Sequence, residues 1–160
     1  MEAFIFALDA ENVTIEGEGT IWPNGEHEEF QLGKGNDPAR PYAIHMIRCR
    51  KARVCDCFID STDDALCLKS EGEPVCEDVV VSNCIVSSHA GPIASGITGI
   101  PGHPVEDVTL RNVRISTDRP GSDKDVTREV PETSERYPIN RMLCGNGLLF
   151  RVATEPFRRL

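Results

Sequence analysis

Apolar residues in this chain come in short bursts at every second position, without the three-to-four spacing of an amphipathic helix. Val13 and Ile15, Val79 and Val81, and Val108 and Leu110 each alternate with polar residues, the pattern of a strand with one face turned inward. β-Branched residues dominate these positions and Asn, Asp or Gly follow them, as expected for strands closed by turns. No stretch carries a sustained helical period with caps. The bursts also resemble one another. EDVVVSNCIV (Glu77 to Val86) can be laid on EDVTLRNVRI (Glu106 to Ile115), RKARVCDCFI (Arg50 to Ile59) keeps the same beat more loosely, and ENVTIEGEGTI (Glu11 to Ile21) is a fourth version. Val54, Val81 and Leu110 occupy equivalent places 27 and 29 residues apart, and Asp56 answers Asn83. That period lies in the range of stacked repeats. The expected fold is therefore all-β, a short right-handed single-stranded parallel β-helix, a solenoid in which equivalent residues of successive coils pile into ladders. An ordinary β-sandwich is the alternative, and it leaves the likeness of the units unexplained.

Length adds a limit. The 160 residues suffice for one domain with a real core, so residues 1–160 are read as a single domain. Two regions break the repeat. Residues 22–42 are polar with Gly and Pro and read as a loop insertion. Residues 117–141 are charged and punctuated by proline, which predicts an irregular arm. The tail, LLFRVATEPFRRL, starts like a further strand.

Charge narrows the partners. Seventeen Lys and Arg stand against 26 Asp and Glu, a net charge of −9, which argues against nucleic acid and against an anionic membrane surface. A polyanionic substrate would need basic groups gathered locally. No apolar stretch approaches a membrane span, and the start, MEAFIFALDAE, has no basic n-region, so the chain as written shows no export signal and its localisation stays unknown. Seven cysteines are an odd number with no metal or redox spacing, which favours buried free thiols over a disulfide framework or a zinc site.

One stretch carries candidate chemistry. In DSTDDALCLKS (Asp60 to Ser70) two carboxylates stand side by side before a short apolar run. Neighbours in a regular strand point to opposite faces, so Asp63 and Asp64 can share one site only if a turn or bulge interrupts the pleat, and Ser61-Thr62 suits such an interruption. Glycoside hydrolysis needs a carboxylic acid on the leaving oxygen and a second carboxylate to activate water. Crowding two carboxylates raises one pKa, as an acid working near neutral pH requires. By themselves the two aspartates also fit a solvated turn before a strand. Asp60, Asp63 and Asp64 miss the calcium-loop spacing, Gly33-Lys-Gly35 lacks the rest of a phosphate loop, and His27 lies outside any zinc motif. No metal or cofactor is expected. His45, within AIHMI, could face either way.

The stretch IDSTDDALCLKSEGEPVCEDVVVSNCIVSSH (Ile59 to His89) resembles glycoside hydrolase family 28, the polygalacturonase-like pectin hydrolases. DAENVTIEGEGTI, RPYAIHMIRCR and SGITGIPGHPVEDVTLRNVRI are similar to other pieces of that family, so the likeness covers most of residues 5–115 in segments. It implies a right-handed parallel β-helix and inverting, cofactor-free hydrolysis of α-linked galacturonan in pectin-type polysaccharide, often outside the cytoplasm. Carried over by position, Asp63 would be the general acid, Asp64 a carboxylate that activates water, and His89 the histidine that supports the acid. Lys69 could neutralise a substrate carboxylate, although an exposed lysine on a coil is the plainer reading, and Asp60 is a conceivable replacement carboxylate. The family's third carboxylate, in an Asn-Thr-Asp-Gly element one coil before the pair, has no counterpart here, nor does its Arg-x-Lys pair. These gaps predict whole coils lost near Arg50 and Ala90, tolerable where each repeat touches mainly its neighbours. Two rival readings stand beside the hydrolase: a non-catalytic carbohydrate-binding module, and a degenerate fragment whose open ends expose strand edges and invite homo-oligomers.

Overall fold

In the computed structural model the described residues are 3–31, 40–70, 74–89, 93–98, 103–117 and 148–151. Alternating segments form strands as expected: β1 (Ala3–Leu8), β2 (Thr14–Glu16), β3 (Thr20–Ile21), β4 (Tyr42–Ile47), β5 (Arg50–Cys55), β6 (Phe58–Ser61), β7 (Leu66–Lys69), β8 (Glu77–Ser82), β9 (Ile85–Ser88), β10 (Ile93–Thr98), β11 (Val108–Arg111), β12 (Arg114–Thr117) and β13 (Leu148–Arg151). They make three sheets, ordered β1-β4-β7-β10-β13 (sheet A), β2-β5-β8-β11 (sheet B) and β3-β6-β9-β12 (sheet C). Every third strand thus returns to the same sheet, and each circuit of three strands lays one strand on each sheet. All pairings are parallel except β10 with β13, which is antiparallel. The tail's first residues do form a strand, running against its neighbour.

The repeat read from the sequence is visible as strand register. Ile15 lies beside Val54, Val54 beside Val81, and Val81 beside Leu110. Ile21, Ile59, Val86 and Ile115 form a second row, and Ala7, Met46, Leu68 and Ile97 a third. Except for Leu110, which is 40% exposed at the last circuit, these rows belong to one core, buried in the middle circuits and partly open at the first and last. Parallel stacking places like on like, so a β-branched residue at one inward position packs on its counterpart 4.7–4.9 Å away, the usual strand spacing.

The corners repeat too. Left-handed backbone recurs at Asn12, Lys51, Asp78 and Asp107 where sheet B begins, and at Asp56, Asn83 and Asn112 where it ends, with Gly17 in the matching place of the first circuit. Asn and Asp adopt this conformation more readily than other non-glycine residues. Asn83 Nδ2 donates to Asp56 Oδ1 and Asn112 Nδ2 to Asn83 Oδ1, both at 3.0 Å, so one corner is a ladder of side-chain amides. At the edge circuit, Arg48 grips Asp9 through Nε and Nη2 at 2.6 and 2.8 Å, and Lys51 reaches Glu11 at 2.7 Å.

Six cysteines fall among the described residues, all buried and unbridged; Cys144 lies outside them. Cys49, Cys57 and Cys84 turn inward and donate their thiols to the carbonyls of Ile47, Cys55 and Ser82, two residues earlier in each case. Burial pushes the Cys76 thiol up to about 11, which makes it a packing group with little thiolate.

Two details differ from the alternation read in the sequence. Strands β4 and β7 are buried along their whole length, so the middle of sheet A is covered on both faces. Edge strand β1 keeps the alternation, with Phe4, Phe6 and Leu8 exposed. The second detail is a four-residue helix α1 (Glu28–Gln31) inside residues 22–42, where a loop was expected. Residues 32–39 and 118–141, the latter nearly all of the expected arm, lie outside the described residues. No helix among the described residues is long and apolar enough to cross a membrane.

Candidate functional site

The aspartate pair sits in the turn from β6 to β7, where the pleat is interrupted. Ser61 ends β6, and its hydroxyl oxygen accepts the Asp63 N–H while donating to the Asp64 carbonyl, both at 3.4 Å. Asp63 curls back so that Oδ1 accepts the N–H of Asp64 at 2.9 Å. Short polar side chains satisfy turn backbone in this way, which is why Ser-Thr-Asp-Asp suits the position. The turn is tied to the circuits on both sides: Ala43 N–H donates to the Asp64 carbonyl at 3.1 Å, and His89 N–H to the Ser61 carbonyl at 2.8 Å.

The two carboxylates meet different surroundings. Asp63 Oδ2 lies 3.6 Å from Nε of Arg40, a cation just before β4, one circuit earlier. A guanidinium on one oxygen and a backbone N–H on the other favour the ionised carboxylate. Asp64 retains some solvent-accessible surface, yet protein atoms crowd its carboxyl, and Oδ2 has the Cys67 thiol at 3.3 Å. Burial first, and the Asp63 charge second, push Asp64 up to about 6. Adjacent residues of one turn thus meet different surroundings, a cation beside Asp63 and burial around Asp64.

Lys69 is buried, contrary to the plainer expectation of an exposed coil lysine. Its ammonium lies 5.2 Å from the centroid of the Tyr42 ring, a cation–π geometry that suits a charge drawn out of water. Its positive charge is felt at both Asp64 and His45. His89 Nε2 lies 3.2 Å from Asp60 Oδ1, with both side chains nearly half exposed. The register explains the contact: Asp60 pairs with Ser87 across sheet C, so the start of the next turn returns His89 to its side. Structure therefore sets Asp63 beside Arg40, Asp64 within the field of Lys69, and Asp60 against His89.

Sequence reading missed Arg40, Tyr42 and Gly25. Arg40 and Pro41 stood in what was taken for a loop insertion, and only the closing of a circuit carries them to the aspartates. Gly25 is buried, and a Cβ there would meet the Thr62 hydroxyl with Pro41 Cδ at 3.2 Å. Gly25→Ala is expected to displace Thr62 and with it the aspartate turn, at a cost of about 1–3 kcal/mol, read as a lower midpoint in urea unfolding. A midpoint equal to the parent's would show that the turn is not clamped there. Among the described residues, three buried side-chain atoms lack a hydrogen-bond partner: Arg40 Nε, Thr62 Oγ1 and His45 Nε2. Arg40 Nε lies 3.6 Å from Asp63, Thr62 belongs to the turn and His45 lies on the adjoining strand, and each such buried group calls for an explanation. No group of three or more His, Cys, Asp or Glu among the described residues is placed to hold a metal ion. No family model matches the chain, and neither a curated protein nor a solved structure matches it.

Proposed function

We propose that this chain is a short right-handed parallel β-helix of glycoside hydrolase family 28 ancestry that hydrolyses a pectin-type galacturonan by acid/base catalysis. The three-sheet circuit supports the solenoid reading, and right-handedness follows from the strong rule for parallel crossovers. The observation that carries the activity is the aspartate turn, where a cation stands beside one carboxyl and burial pushes the next up to about 6. Such a split is how one site holds an acid and a base at the same pH. It favours a division of labour opposite to the one the family likeness implied. Asp64, protonated up to about pH 6, donates to the leaving glycosidic oxygen, and Asp63, with Arg40 beside it, activates the water. The substrate charge problem raised by a net charge of −9 is met locally, because Arg40 and Lys69 both stand beside the turn.

A second reading has its own observation. Arg40 stands one circuit before the pair, where the family likeness calls for a third carboxylate, and puts a cation beside Asp63 instead. A site that had exchanged catalysis for binding would look like this. Reducing-end release from polygalacturonate decides between them, comparing the parent chain with Asp63→Asn. Release by the parent and a loss of about 10²-fold or more in the variant, the usual contribution of one acid/base group, is the expected result. Equal signals remove the catalytic reading, and binding of oligogalacturonides without release favours the module.

A further inference from the structure

Four of the buried cysteines stand in two stacked pairs. Cys49, Cys57, Cys76 and Cys84 belong to the hydrophobic core, whereas Cys55 and Cys67 do not. Arg50 lies beside Glu77 and Phe58 beside Ile85, so the residues just before them meet in the same way, Cys49 with Cys76 and Cys57 with Cys84. Backbone bonds fix both meetings: Glu77 N–H donates to the Cys49 carbonyl at 3.1 Å, and Ile85 N–H to the Cys57 carbonyl at 3.0 Å. The matching bonds one circuit outward set Ala10 against Cys49, Val105 against Cys76, Gly19 against Cys57 and Val113 against Cys84. Both columns therefore hold two adjacent thiols in the same two circuits, with residues that carry no thiol on either side. Packing alone asks only for apolar bulk at such places, which Ala and Val supply in the outer circuits. The Cys84 thiol lies 3.6 Å from the Val54 carbonyl and so leans toward the circuit of Cys57. Burial raises the Cys57 thiol, with the neighbouring Cys84 the next cause.

We propose that Cys49 with Cys76 and Cys57 with Cys84 are two disulfide sites, each stapling the second circuit to the third when the chain folds under oxidising conditions. Residues in register on parallel strands lie about 4.7–4.9 Å apart, within the Cα separation of about 4.4–6.8 Å that a disulfide spans. The Cys57 thiol faces the Ile15 carbonyl of the preceding circuit at 3.9 Å, and rotation about its χ1 turns it to Cys84. The oxidant is a small disulfide such as oxidised glutathione. One protein thiolate attacks its S–S bond, forming a mixed disulfide and releasing one small thiolate. The partner thiolate then attacks the protein sulfur of that mixed disulfide, the protein S–S bond forms and the second small thiolate leaves. Two protein thiols are oxidised, one small disulfide is reduced to two thiols, and the protons lost by the protein end on them. All four thiols are buried once the core has closed, so exchange belongs to the folding chain, after these circuits meet and before they are covered. The staples do not depend on the hydrolase reading.

Refolding tests it. The full chain, reduced and unfolded in denaturant, is refolded in oxidised and reduced glutathione, its remaining thiols are alkylated, and it is digested with trypsin and an aspartate-directed protease. Cuts beside Arg50, Arg53, Asp56, Asp60 and Asp78 leave Cys49, Cys55, Cys57, Cys67, Cys76 and Cys84 on separate peptides, which mass spectrometry identifies. The expected result is Cys49 joined to Cys76 and Cys57 joined to Cys84, with Cys55, Cys67 and Cys144 alkylated. A melting temperature about 5–10 °C above that of the same protein in excess dithiothreitol is expected with it, because each bond closes a stretch of 27 residues in the unfolded chain. All four core thiols alkylated or capped by glutathione, or bridges that take in Cys55 or Cys67, overturn the assignment. One bond without the other overturns the missing pair alone. Both bonds with no rise in melting temperature overturn the staple. If refolding gives no soluble protein, the same digest of the chain exported to the bacterial periplasm is read by the same outcomes.

Discussion

Asp64→Asn is expected to abolish the proposed glycosidic cleavage and to make the protein more stable at pH 8. The loss follows from the role of proton donor, since an amide cannot supply the proton, and about 10²–10⁴-fold in kcat is the expected size. The gain follows from linkage. Asp64 is raised from an ordinary 3.8 to about 6 in the folded chain, so its contribution to stability is present in full below about pH 4 and is lost as pH rises through 6. Above that, folding must hold an ionised carboxyl among protein atoms, beside Asp63, with Lys69 and Arg40 only partly offsetting the cost. A shift of this size corresponds to roughly 1–3 kcal/mol. Asn removes the penalty at pH 8 and changes little at pH 4. Thermal melts at the two pH values, with reducing-end assays from pH 4 to 8, check both halves. Parent activity is expected to fall above about pH 6 as the acid ionises. A parent profile flat from pH 5 to 8, or an Asp64→Asn melt lowered equally at both pH values, would remove Asp64 as the proton donor.

Leu68→Ala costs about 2–5 kcal/mol, a large share of the stability of a domain this size. Leu68 is fully buried on β7, with Met46 in register on one side and Ile97 on the other. Neighbouring circuits pack against both its flanks, so the cavity left by truncation opens in two interfaces at once. Phe4→Ser, on the exposed side of β1, is the contrasting change and is expected to stay within about 0.5 kcal/mol. Urea unfolding of the two variants reads the register directly, because a one-residue slip would exchange inward and outward positions. Similar losses in both would contradict the inward row that runs through Met46 and Leu68.

Where the sequence could be read, one residue's position determined its neighbour's. Val54, Val81 and Leu110 were legible as equivalents because alternation gives phase and the spacing of 27 and 29 residues gives the circuit. The interruption at Ser61-Thr62 was legible because hydroxyls and carboxylates bind turn backbone locally. Strand β4 was harder. Tyr42 to Ile47 is apolar except for His45, so the pattern has no phase, and nothing local says that both faces are covered. Arg40 was not legible as a partner of Asp63, because their contact depends on how residues 22–42 close a circuit. Lys69 looked like a solvated lysine until Tyr42 placed a ring beneath its charge. His89 was assigned to Asp63 by likeness, and sheet C register sets it against Asp60.

The row-on-row register also governs how the chain reaches this state. No strand from β1 to β12 waits for a partner from the far end of the sequence; each is paired with the strand one circuit away. Closing such intermediate loops costs little more than closing a short one, so order can begin at any two adjacent circuits and spread by accretion. The second and third circuits, which hold most of the fully buried side chains, are the natural starting pair. Folding rates should then respond to changes at Val54, Val81 and Leu68, while changes at Ile15 or Ile115 alter mainly how readily the outer circuits peel away.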